Sequence, residues 1–364
     1  MTRRTRAVVL IATGALLFGG LAACGDDDDD TGGGGDKKSG KIALLLPETK
    51  TARYEAHDRP EFVAAFKELC ADCEILYYNA NQDASLQQNQ VDQALTNGAE
   101  VLVLDPVDSA SAASLVAKAK AQDVPVVSYD RLITGGGKPD YYVSFDNEKV
   151  GTLQGTALLE ALGDKAMSGK VVMINGSPQD NNAKLFNKGA KATLAGKVTI
   201  GKEYWTPDWS PDKAQQEMDQ AITALGKASI IGVYAANDGT AGGAIAAMKA
   251  AGFGTLPPVT GQDAELAAIQ RILAGDQYMT VYKATKAETE AAAQLAYDLL
   301  QGKDSSQETV MINNGTIDVP SVLLEPVTVT AENVKDTVVK DGFWTVADIC
   351  TPAYKAACTK YGIE

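Results

Sequence analysis

The sequence has 364 residues, 45% of them apolar and 6% aromatic, with a formal net charge of −14. That length is enough for two domains with separate cores, and so acidic a surface repels nucleic acid and anionic lipid, which removes both as direct partners. His57 is the single histidine, so any Ser-His or Cys-His hydrolase would have to use it as the base, which weakens that class.

At the start of the chain, Arg3, Arg4 and Arg6 precede an apolar run from Ala7 to Leu21, the layout of an export signal and too short to span a bilayer comfortably. The run ends in Leu21-Ala22-Ala23-Cys24, which resembles the bacterial lipobox. That resemblance implies removal of residues 1–23, lipidation of Cys24 and attachment to the outer face of the cytoplasmic membrane through the lipid alone. Residues 24–40 follow as GDDDDDTGGGGDKKSG after the cysteine, with nothing apolar to bury, and read as a flexible tether. Consecutive aspartates in such a segment form no preorganised cage for calcium.

Beyond the tether, strand-like and helix-like segments alternate. Ile42 to Leu46 is a continuous apolar run, as in a strand covered on both faces. Pro60 to Leu69 places Phe62, Val63, Phe66 and Leu69 on one helical stripe. Strands at 75–78, 101–104 and 124–129 alternate with helices at 85–96 and 109–121. A second series opens near Phe145, with helices at 148–162, 183–194, 211–225, 240–251 and 266–274 and strands at 170–174, 198–204, 230–234, 259–260 and 279–282. Repeated βα units predict an α/β fold of two doubly wound parallel-sheet lobes, with ligands at the carboxyl ends of the strands.

Those strand ends carry a distinctive set: Arg53 with Tyr54, Asp130-Arg131, Asp146-Asn147, Asp180-Asn181-Asn182, Trp209, Asn237-Asp238, Gln262-Asp263 and Lys283. Any one Asp or Asn also suits a helix cap or a turn. Together they offer planar groups that bridge neighbouring hydroxyls and flat aromatics that cover a C–H face, which suits a pyranose. No nucleophile-plus-base pair is among them. A glycosidase would need two carboxylates flanking the scissile bond; Asp130 and Asp263 are better used as hydroxyl acceptors.

The motifs PETKTARY from Pro47, SYDRLI from Ser128, YVSFDNEKVG from Tyr142, GSPQDNNAKLF from Gly176, ANDGTAGGAI from Ala236, TGQDAE from Thr260, MTVYK from Met279 and DVPSVLLEPV from Asp318 run through the whole folded region. In this order they resemble the xylose-binding family and its multi-sugar relatives among type I periplasmic sugar-binding proteins. The resemblance implies sugar contacts from Arg53, Asp130 and Arg131 in the first lobe, from Asn182, Trp209, Asn237 and Asp263 in the second, and from Lys283 at a crossing. Tyr54 stands where the family usually has tryptophan, and the tail from Ala347 does not match the usual ending. Three crossings, near Phe145, Lys283 and Pro320, are implied, so that residues 41–145 with 284–319 form one lobe and 146–283 with 320–364 the other. The implied role is a monomeric receptor, without cofactor or metal, that hands a monosaccharide to an ABC permease. A sugar sensor feeding a chemotaxis or signalling receptor is the alternative, and a regulator sharing the lobes is disfavoured by the export signal and the acidic charge.

Besides Cys24, four cysteines form two close pairs, Cys70 with Cys73 and Cys350 with Cys358. Local disulfides are the economical reading in an exported protein. Free thiols are the alternative, and a zinc site would need thiolates from both ends of the chain.

Overall fold

A computed structural model describes residues 39–363, so the signal, Cys24 and most of the tether lie outside the described residues. The apolar strand β1 (Lys41–Leu46) pairs in parallel with β2 (Glu74–Asn79) on one side and β3 (Val101–Leu104) on the other. Helices α1 (Arg59–Leu69), α2 (Ala84–Thr96) and α3 (Ala113–Lys120) make the crossovers, and β4 (Val126–Tyr129) and β5 (Tyr141–Phe145) extend the sheet. Phe62 and Phe66 of α1 are fully buried against one face, while Val91 of α2 and Val116 of α3 pack on the other. Full burial of such side chains contributes about 1.5–3 kcal/mol each, which is why the stripe predicted on α1 faces inward.

From Phe145 the chain enters the second lobe through α4 (Asn147–Leu162), β6 (Lys170–Asn175), α5 (Asn181–Leu194), β7 (Thr199–Trp205), α6 (Pro211–Leu225), β8 (Ile230–Ala235), α7 (Asp238–Ala250) and α8 (Leu266–Ala274). Its parallel sheet runs in the order β7-β6-β8. Helices α4 and α5 approach closely: a Cβ on Gly151 would lie 1.9 Å from the Phe186 carbonyl oxygen. The strand expected at Val259–Thr260 is reduced to a single parallel bridge between Val259 and Val233. Pro257 and Pro258 remove two backbone donors ahead of it, and the Thr260 hydroxyl bonds the Ala235 backbone on both its N–H and C=O sides.

Strand β9 (Met279–Tyr282) leads back to the first lobe, where α9 (Thr285–Leu300) joins α1 on one face of the sheet. Then β10 (Val310–Asn313) and β11 (Asp318–Leu324) complete a seven-stranded sheet, β10-β11-β5-β4-β3-β1-β2, in which only the β10–β11 pair is antiparallel. Pro320, where a crossing was expected, lies inside β11. Ser321 to Leu324 still pair with Tyr142 to Phe145, so this backbone is committed to the first sheet, and the chain leaves it only before β12 (Val327–Thr330), which pairs with β9.

The remaining chain, with short helices α10 (Val346–Ile349) and α11 (Lys355–Lys360), packs on α8, β9 and β12 around a small core that includes Val338, Phe343 and Ile349. The structure joins Cys350 to Cys358, with Cα atoms 5.9 Å apart, and Cys70 to Cys73 at 5.4 Å.

Candidate functional site: a sealed polar cavity between the lobes

A polar cavity lies between the strand ends of the two lobes. All nine residues expected to hold a ligand line it: Arg53, Tyr54, Asp130, Arg131, Asn182, Trp209, Asn237, Asp263 and Lys283. Each is buried, so the cleft is in its closed form.

The first lobe supplies Asp130 from the end of β4. Its Oδ2 accepts from the Tyr54 hydroxyl at 3.1 Å and lies 3.3 Å from Arg53 Nη2, and its Oδ1 accepts from Lys283 Nζ at 3.2 Å. Burial opposes ionisation of this carboxyl, but the charges of Arg53, Lys283 and Arg131 outweigh it and hold Asp130 well below the usual carboxylate range. Arg53 is fixed by a two-pronged bond to Asp58, at 3.0 and 2.7 Å, and contacts Glu288 at 3.3 Å. Arg131 donates to the Tyr54 oxygen at 3.2 Å. Its Nε lies 3.0 Å from Asp180 of the second lobe.

In the second lobe, α5 presents Asn182, whose Nδ2 donates across the cleft to the backbone carbonyl of Asp130 at 3.0 Å. Trp209 donates its indole N–H to Asp180 Oδ2 at 3.1 Å and meets Phe186 edge-on. The indole fits only because residue 176 is glycine, since a Cβ there would come within 1.9 Å of the ring. Asn237 caps α7 through its Oδ1, which accepts the Thr240 N–H at 2.9 Å. Asp263 lies 3.9 Å from both Arg53 and Lys283, and burial raises its carboxyl despite these cations.

Asp130, Trp209 and Asp263 have φ of 49°, 53° and 99°. Left-handed backbone at a non-glycine residue is costly and persists where the surroundings hold it, often at ligand sites. Here it turns three cleft side chains inward, directly after β4 for Asp130 and in the loops beyond β7 and the Val259 bridge for Trp209 and Asp263.

Four more residues line the cavity: Thr51, Asp180, Phe186 and Gln262. Asp180 and Gln262 stood in the strand-end set. Phe186 was missed although it lies one helical turn beyond Asn182 on the same face of α5, a spacing that could have found it. Not every strand-end group is in the cavity. Asp146 caps α4 by accepting the Lys149 N–H at 3.0 Å, and Asp238 is buried beneath the site, bonded to Gln277 and Thr280. Sequence reasoning also missed the buried carboxyls behind the cations. Asp105 and Glu288 are both raised by burial, and Glu288 comes from α9, far along the chain.

Each cation of the cavity has a carboxyl group beside it, Arg53 with Asp58 and Asp130, Lys283 with Asp130 and Arg131 with Asp180. An anionic ligand would find no unmatched positive charge, whereas a neutral polyol would find acceptors for its hydroxyl hydrogens and two aromatic surfaces, Tyr54 and Trp209.

A two-lobed α/β binding protein is the class that this fold and this enclosed cavity define. The chain belongs to the periplasmic binding protein domain family, whose model matches residues 42–304. This is a family of binding proteins and not of enzymes. It is 39% identical over 311 residues to the D-xylose-binding periplasmic protein of Escherichia coli strain K12, covering 84% of this chain and 91% of that one. It is 34% identical over 324 residues to the multiple sugar-binding periplasmic protein SbpA of Azospirillum brasilense, covering 84% and 90%. Among solved structures, an ABC transporter solute-binding protein from Clostridium phytofermentans with bound β-D-glucose superposes with a TM-score of 0.79 at 29% identity, covering 85% of this chain and 99% of that one.

Proposed function

We propose that this protein is an extracytoplasmic receptor that captures one free aldopyranose, D-xylose first and D-glucose second, and delivers it to an ABC importer. The observation that carries the reading is the cavity itself: small, sealed, acceptor-rich, with cations already neutralised. Closed over by buried side chains from both lobes, it suits one sugar ring rather than an oligosaccharide. The E. coli relative named for D-xylose and the Clostridium structure holding β-D-glucose support the two leading sugars.

Both lobes contribute polar groups, so a bound sugar stabilises the closed state by touching both. Export and a lipid anchor at Cys24 complete the reading, and the receptor acts as a monomer.

Calorimetric titration with xylose, glucose, galactose, arabinose and ribose tests the proposal. Heat of binding with xylose or glucose is expected, and none with any of the five overturns it. For the anchor, Cys24→Ala should move the exported protein from the membrane fraction to the soluble one.

A further inference from the structure

The C-terminal segment reaches the cleft from outside without lining it. Trp344 donates its indole N–H to the Ala264 carbonyl at 2.8 Å. Ala264 follows Asp263, and the two have consecutive positive φ values of 50° and 99° respectively. A two-residue left-handed turn is costly for non-glycine residues and needs an external hold. The indole of Trp344 supplies one at the peptide next to the cavity carboxylate.

The neighbouring Phe343 spans the lobes. Its ring stacks on His57 of the first lobe with centroids 3.8 Å apart and planes 14° from parallel, and Trp344 meets the same imidazole edge-on at 4.7 Å. On its other side Phe343 packs edge-on against Tyr282, next to Lys283. The disulfide between Cys350 and Cys358 closes the segment that follows.

We propose that Phe343 and Trp344 are positioning residues for the cleft: Trp344 sets the Asp263 turn through Ala264, and Phe343 with His57 clasps the lobes in the closed state. The inference rests on the sugar-receptor reading for its ligand but not for its geometry. Neither residue lines the cavity, so both act through others.

The test uses the whole protein titrated with D-xylose and D-glucose. Trp344→Phe keeps the ring and removes the N–H, and His57→Ala removes the first-lobe half of the stack. Each should weaken binding roughly twofold to tenfold, the scale of one lost hydrogen bond or ring contact. The Trp344→Phe loss should vanish when Asp263 is already Asn, whereas a loss from general destabilisation would persist there. Small-angle scattering reads the clasp with no ligand present, and the sugar-free His57→Ala variant should show a larger radius of gyration than the wild type. A wild type that binds neither sugar overturns the sugar reading. Unchanged affinity in both variants overturns the clasp, as do identical scattering profiles or a Trp344→Phe loss undiminished by Asp263→Asn. Should Trp344→Phe fail to fold, His57→Ala alone decides.

Discussion

Arg131 Nε lies 3.0 Å from Asp180 Oδ2, and the same oxygen accepts the indole N–H of Trp209 at 3.1 Å. One carboxylate oxygen therefore orients a guanidinium from the first lobe and an aromatic ring from the second. Asp180 and Trp209 both belong to the second lobe, so the ring is aimed by its own lobe, and only the Arg131 contact depends on closure.

Trp209→Ala should weaken sugar binding by roughly 1–3 kcal/mol, as for an aromatic anchor of an interface. Gly176→Ala should reproduce part of that loss without altering any cavity residue, because its methyl group collides with the indole. Titration calorimetry measures both, and sugar-induced change in intrinsic fluorescence should shrink in each. Full affinity in Trp209→Ala would remove the stacking role.

For the carboxylates, asparagine is the informative replacement, since it tolerates the positive φ of Asp130 and Asp263 better than alanine does. Asp130→Asn and Asp263→Asn leave sugar hydroxyls poorly paired at about 1–3 kcal/mol, which corresponds to roughly a tenfold to hundredfold loss of affinity. The sugar-free melting temperature should fall for Asp130→Asn, which leaves the buried Arg53 and Lys283 short of a partner, and move less for Asp263→Asn, whose nearest cations lie 3.9 Å away. Lower melting temperatures with unchanged affinity would instead make these aspartates purely structural.

Acidity beneath the site gives a pH dependence. Burial, reinforced by the nearby Asp263, raises Asp238 to about 7, and burial with the Asp238 and Asp263 charges raises Glu265 to about 8. A carboxyl whose folded pKa lies above its unfolded value of about 4 binds its proton more tightly when folded. Its stabilising effect is complete below pH 4 and is lost as pH rises towards 8. Glu265→Gln should therefore flatten the fall in melting temperature between pH 5 and 8.5. A parallel fall in both proteins would contradict the assignment.

Each disulfide closes a short loop, Cys70–Cys73 with a separation of 3 residues and Cys350–Cys358 with 8. Short loops restrict the unfolded chain little, so each should contribute on the order of 2 kcal/mol or less. Peptide mapping without reductant should find all four thiols protected from alkylation, and mild reduction should lower the melting temperature modestly.

Much of this was legible in the chain because the signals are local. The continuous apolar run of β1 announces a strand covered on both faces, and the polar groups after each strand mark where a doubly wound sheet opens to a ligand. What escaped depends on distant partners. Glu288 meets Arg53 across a separation of 235 residues, and nothing near either residue reports it. Likewise β11 stays with the first sheet because β5 is its neighbour, a choice that the sequence around Pro320 does not express. At Val259 a local signal existed, the two prolines, but the apolar residues beside them suggested a longer strand than the backbone donors allow.

The enclosure of the cavity has a kinetic side. With its lining side chains almost wholly withdrawn from solvent, nothing the size of a sugar can pass while the lobes are together. Departure must wait for them to part, so the residence time of a captured solute is bounded by how often the lobes separate. Two variants with identical contacts in the cavity can then differ in how quickly they surrender cargo. A membrane partner that pries the lobes apart would set the rate of handover without touching the solute.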